Sequence, residues 1–146
     1  DYFAKPTQQT MQSLHISFGV LLAVVIIARL AWRLIPGHQV SSLETGWVGR
    51  ASKGAHYLLY ALLVTVVVLG FLYQWSRGHP VSLFGLDIPG PYGQQARPVR
   101  HQLQELHNYV AWTIVAVAAL HAAAALYHHY WLKDRVLMRM LSSRST

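Results

Sequence analysis

Residues 55–75 read AHYLLYALLVTVVVLGFLYQW, a run without a single charge. A hydrocarbon core of ~30 Å takes about 20 helical residues to cross, and this run is long enough. A helix of a soluble bundle keeps a polar stripe on its outer side. Leu58 to Leu72 offers none. Two further stretches read the same way: LHISFGVLLAVVIIARLAWRL over residues 14–34 and LHNYVAWTIVAVAALHAAAALYHHYW over residues 106–131. Trp32, Tyr73, Trp75, Tyr130 and Trp131 stand at their ends, where interfacial aromatics belong. Pro36-Gly37, Gly78, Pro80, Pro89-Gly90-Pro91 and Gly93 break the connectors. The expectation is an all-α integral membrane bundle: one domain over residues 1–146, with three transmembrane helices.

Composition agrees. Of the 146 residues 53% are hydrophobic and 12% charged, against about 25% charged in an average soluble domain. There is no cysteine, which excludes disulfides, zinc fingers, iron–sulfur clusters and thioether-linked haem. A net charge of +7 suggests nucleic acid in a soluble protein, but here the basic residues flank the spans. Arg29, Arg33, Arg50 and Lys53 surround the first connector, and Lys133, Arg135, Arg139 and Arg144 follow the third span. Only Lys5, Arg77, Arg97 and Arg100 lie on the other side. That bias makes loop 35–54 and the C-terminus cytoplasmic, and residues 1–13 and loop 76–105 periplasmic. The lipid bilayer, not nucleic acid, is the partner implied. With Asp1 outside, a preceding span beyond this sequence is expected.

Nine histidines accompany only five carboxylates, Asp1, Glu44, Asp87, Glu105 and Asp134, all of which read as connector or tail residues. Ionisable groups inside a membrane are costly and mark function. His15 stands at the outer end of the first span and His107 at the outer end of the third. His121 follows His107 by fourteen residues, which returns it to within ~40° of the same face, ~21 Å further along. His128 stays on that face at the inner boundary. Ala122 to Ala125 and Gly19 leave room for a flat ring or a neighbouring helix. Zinc or di-iron would want thiols or carboxylates beside the imidazoles. Haem iron needs only histidines and an apolar slot. His15 and His107 share one depth and would clamp one haem; His121 needs a partner, for which His56 is the candidate inside this chain. On the plainer reading His56 is an interfacial residue with a satisfied hydrogen bond. His38, His79 and His101 read as solvated loop residues, and His129 as interfacial.

Several blocks then resemble the bacterial cytochrome b561 family: His15-Ile16-Ser17 through Ala28-Arg29-Leu30, Gly54-Ala55-His56 with Tyr60, Arg77-Gly78 with Pro80, and Phe84-Gly85-Leu86 with Pro89. Most specific is Leu120-His121-Ala122-Ala123-Ala124-Ala125-Leu126, followed by His128-His129-Tyr130 and Lys133-Asp134. The resemblance implies the last three helices of a four-helix, inner-membrane bundle that holds two haem b without covalent attachment. It implies that His15 and His107 ligate the periplasmic haem and His121 the cytoplasmic one. The remaining ligand would lie on a first helix absent from this sequence, which the resemblance prefers over His56. It further implies electron transfer from superoxide, outside, to ubiquinone in the membrane. Superoxide is an anion, so Arg77, Arg97 and Arg100 are candidates to steer it; His128, Ser52 and Lys53 are candidates to bind the quinone. The competing function is a cytochrome b membrane anchor that relays electrons between a dehydrogenase or hydrogenase partner and quinone. A haem-free proton relay is disfavoured by the lack of any carboxylate within the spans.

Overall fold

The computed structural model describes residues 5–35, 47–83 and 86–131. Three long helices dominate: α1 over Lys5–Leu34, α2 over Trp47–Ser76 and α3 over Arg97–Tyr130. Each contains one of the apolar stretches, and the segments long and apolar enough to span a bilayer are Thr7–Arg33, Gly49–Ser76 and Arg97–His128. Most of their surface is apolar and exposed, with Trp112 at 73% and Leu120 at 72%. Only Val20, Ile26, Val66 and Val81 are buried hydrophobics among the described residues. Such helices are built for lipid, where every backbone polar group is satisfied within its own helix. Even the hydroxyls follow that rule: Thr65 donates to the Ala61 carbonyl at 2.8 Å and Thr113 to that of Tyr109 at 2.8 Å. The protein is an integral membrane protein.

One expectation about the outer connector needs correction. Residues 97–105 are not loop: α3 begins at Arg97 with Pro98 in its first turn, where a missing N–H costs nothing. His101-Gln102-Leu103-Gln104-Glu105 then continue as good helix formers. Arg97, Arg100, His101 and Glu105 therefore stand on a helix. The connector also carries a short hairpin. β1 (Val81–Leu83) and β2 (Leu86–Ile88) pair antiparallel, Val81 opposite Ile88 and Ser82 opposite Asp87. The alternation of Val81-Ser82-Leu83 and Leu86-Asp87-Ile88 around two residues is an ordinary hairpin pattern.

This hairpin folds back on the end of α2. Gly78, at φ 79°, turns the chain out of the helix. The Trp75 indole N–H then donates to the Ile88 carbonyl at 3.2 Å, and the Tyr92 hydroxyl to the Leu72 carbonyl at 3.2 Å. Ser76, fully buried, donates to the Tyr73 carbonyl at 2.6 Å. Val81, 2% exposed, is the most buried hydrophobic among the described residues, and its strand packs against both α1 and α2.

Among the described residues α2 packs against both other helices, while α1 and α3 make no close backbone approach to each other. The α2–α3 pair is antiparallel and keeps one register. The Tyr73 hydroxyl meets Gln104, Gly70 lies against the His107 ring, and His56 meets His121. Fourteen residues separate Gly70 from His56, and fourteen separate His107 from His121. On α3 the less exposed positions recur every three or four residues, from Leu103 and His107 through Val110, Ile114 and Val117 to His121, the period of one helical face. The histidines predicted to share a face do share it.

Several expectations fall outside the described residues: the structure of Asp1, of Pro36 to Gly46 (His38 and Glu44 among them), of Phe84-Gly85 and of the basic segment after Trp131. The side chain of His129 is likewise outside them.

Candidate functional site

The outer pair forms across the two helices that do not pack. The rings of His15 and His107 lie 6.0 Å apart between centroids, with planes at 81°. His15 is exposed and His107 half-buried. One turn beyond His15, a side chain added at Gly19 would meet nothing within 4 Å. A metal–imidazole bond of ~2 Å places the ring centre about 3 Å from the metal, so two axial imidazoles stand about 6 Å apart. The observed separation fits a metal held between these rings, which come from two helices without close backbone approach. No group of three or more histidines and carboxylates converges among the described residues, so the imidazoles meet in twos. A bis-imidazole haem uses that arrangement, whereas zinc and di-iron centres want more protein ligands.

The inner pair differs. His56 and His121 lie 4.9 Å apart between centroids, with planes at 70°. That separation is shorter than ligands on opposite faces of one metal require, and these rings join α2 to α3, which pack directly. The structure thus brings His56 to His121 as a ring contact. His56 lies within the field of Arg33, and that guanidinium sits over the Tyr60 ring, 5.5 Å from its centroid.

The α2–α3 register, carried seven residues past His121, puts His128 level with Gly49, one turn from Ser52 and Lys53. The three quinone candidates share a depth at the inner end of the bundle. The three arginines separate instead. Arg77 lies 5.7 Å over the Tyr73 ring and, with Gln12, Ser13, Gln74, His79 and Ser82, lines a cleft between the outer ends of α1 and α2. Arg97 is exposed at the start of α3, and Arg100 is half-buried on the inward side with its Nε buried and unpartnered. His79 joins that cleft, and His101 is exposed on α3 beside Arg97 and Glu105.

Sequence reasoning missed Gly70, Trp75 as the anchor of the hairpin, and the contact of Arg33 with Tyr60. An uncharged run gives no sign of which glycine faces a ring. The signal that existed was positional: Gly70 stands as far from His56 as His107 does from His121.

Comparison with known proteins identifies the family. The prokaryotic cytochrome b561 family matches residues 1–143. Cytochrome b561 homolog 2 of Escherichia coli (strain K12) is 33% identical over 137 residues, covering 91% of this chain and 71% of that protein. The probable superoxide oxidase CybB of Yersinia pestis is 29% identical over 139 residues, covering 94% and 78%. Cytochrome b562 of Cereibacter sphaeroides is 29% identical over 131 residues, covering 90% and 68%. With three lipid-exposed helices and paired imidazoles on one helical face, the chain belongs to the prokaryotic cytochrome b561 family of membrane redox proteins, a membership that implies haem b.

Proposed function

We propose that this protein is a di-haem b-type cytochrome of the bacterial inner membrane that oxidises periplasmic superoxide and reduces ubiquinone. The observation that carries the reading is the His15–His107 pair, 6.0 Å apart across helices that do not pack. The similarity to a probable superoxide oxidase supports the choice of electron donor. Bound there, haem b supplies reversible one-electron chemistry.

The chain's own residues do the rest. His15 and His107 would hold one haem iron through their ring nitrogens, and His121 a second. The inner site would take its other ligand from outside α1, α2 and α3, a reading supported by the direct ring contact of His56 with His121 at 4.9 Å. The lipid-facing valines and leucines keep water from the slot. Arg77, in the cleft beside Gln12 and Ser13, raises the local concentration of the anion above the outer site; Arg97 and Arg100 add to the field from the start of α3. Each superoxide surrenders one electron and leaves as dioxygen. A quinone takes up two electrons and two protons, and His128, Ser52 and Lys53 hold its carbonyl oxygen and supply the proton path at the inner end. The basic residues of loop 35–54 and the C-terminus support a cytoplasmic side for that end.

Detergent-solubilised protein tests the reading. Expected are two haem b per chain by the pyridine haemochrome assay and reduction of the haem by superoxide that superoxide dismutase abolishes. Reduction that dismutase leaves untouched, or co-purification with an iron–sulfur dehydrogenase that alone reduces the haem, overturns the superoxide oxidase in favour of a membrane anchor.

A further inference from the structure

We propose that Gly70 and the Val66 carbonyl on α2 form a seat that fixes the tautomer and orientation of His107. The inference rests on the haem reading for its purpose, but its geometry stands on the helices alone.

A side chain added at Gly70 would come within 3.2 Å of the His107 Cε1 and 3.6 Å of Nδ1. The ring therefore presses its Cε1–Nδ1 edge onto the one residue of this turn that lacks a side chain. Nδ1 is buried and makes no hydrogen bond, a condition that buried ring nitrogens rarely keep. The Val66 carbonyl faces the same ring. It lies one turn before Gly70, and a helical side chain leans over the turn that precedes it. A Cβ at position 70 would meet the ring edge before it could settle toward that carbonyl. Its oxygen already accepts the backbone N–H of the following turn, yet a carbonyl has a second lone pair to offer. A small rotation of His107 lets Nδ1–H donate there. Nε2 is then the nitrogen with its lone pair free, turned away from α2.

A ligating histidine generally donates its other N–H to a carbonyl or carboxylate, which fixes the tautomer and raises the basicity of the ligand. Gly70 is then a positioning residue: it touches no iron but decides which nitrogen reaches it. Gly54, on the same helix, has nothing within 4 Å of an added Cβ, so Gly54→Ala is the matched control.

The test compares wild type, Gly70→Ala and Gly54→Ala as holoproteins, by redox titration and by the low-spin EPR signal of the oxidised haem. Gly70→Ala is expected to keep both haems under mild purification. Its outer-site affinity should fall about tenfold, its outer potential should rise as the imidazole becomes a weaker donor, and its g values should shift. Gly54→Ala should change none of these. A Gly70→Ala protein with the potential and g values of wild type overturns the seat and leaves the haem reading intact.

A second measurement needs no variant at position 70. Nitrogen-15 NMR of histidine-labelled protein, with the His107 signal assigned by its loss in His107→Ala, should show a hydrogen-bonded Nδ1–H. The Nε2–H tautomer overturns the seat. If the protein binds no haem yet shows Nδ1–H, the seat stands and the haem reading falls.

Discussion

One helix carries both histidine sites, and its two ends are built differently. At the outer end His107 faces His15 across helices that keep apart, with 6.0 Å between the rings. At the inner end His121 faces His56 across helices that pack, with 4.9 Å between them. The first spacing leaves room for an iron between two imidazoles; the second is an edge contact between rings. The difference shows that histidines at equal spacing along one face need not make equal sites. The helix opposite decides. Where α2 touches α3 directly, a ring contact results, and a ligand site needs a helix held further off.

The strongest way to break this comparison is to remove the imidazoles one at a time. His107→Ala and His121→Ala should each lose one haem equivalent per chain by the pyridine haemochrome assay, since neither iron keeps its pair of axial ligands. His56→Ala should retain the wild-type haem content. If His56→Ala loses the haem that His121→Ala loses, the two ends are alike and the inner ligand is internal after all.

Much of this was legible in the residues because two periodicities are strong. The uncharged run at Leu58 to Leu72 needs no neighbour to identify it as a span. The fourteen-residue step from His107 to His121 follows from helical geometry alone. What stayed hidden depends on contacts between elements. Arg97 to Glu105 carry polar residues that suit loop and helix equally, and only Pro98 in a first turn hinted at a helix. The hairpin is two three-residue strands, too short to stand out until Trp75 and the buried Val81 give it something to pack on. The approach of Gly70 to His107 depends on the register of two helices, which no single stretch of sequence states.

The hairpin also sets the outer end apart from the inner one, and a single methyl group tests how firmly. A Cβ on Gly90 would stand 2.8 Å from the Trp75 Cγ and 2.9 Å from its Cβ, so the indole or the loop must move. Gly90→Ala is expected to cost about 1–3 kcal/mol, the range for overpacking, read as a lower thermal midpoint with the Trp75–Ile88 hydrogen bond lost. An unchanged midpoint would mean that this cap adds nothing to the outer end.

Charge sharpens the same contrast. Arg77 lines the outer cleft, whereas Arg97 lies exposed on the far side of the connector. Arg77→Gln should slow reduction by superoxide about threefold at low salt and flatten the salt dependence, as loss of one steering charge does. Arg97→Gln should do less. Equal effects would assign the steering to the general field of this face and not to the cleft.

The smallest effect belongs to the inner end, at a contact between α1 and α2. The described contact there is Arg33 over Tyr60, with 5.5 Å from guanidinium to ring centroid. Such a pair at an exposed site is worth about 0.5–1 kcal/mol. Arg33→Met keeps the length of the side chain and removes the charge; Tyr60→Leu removes the ring. In a double-mutant cycle on thermal unfolding, a coupling of about 0.5 kcal/mol between them would make this contact the inner counterpart of the hairpin, weaker and purely electrostatic. A coupling of zero would remove this contact from what holds α1 to α2.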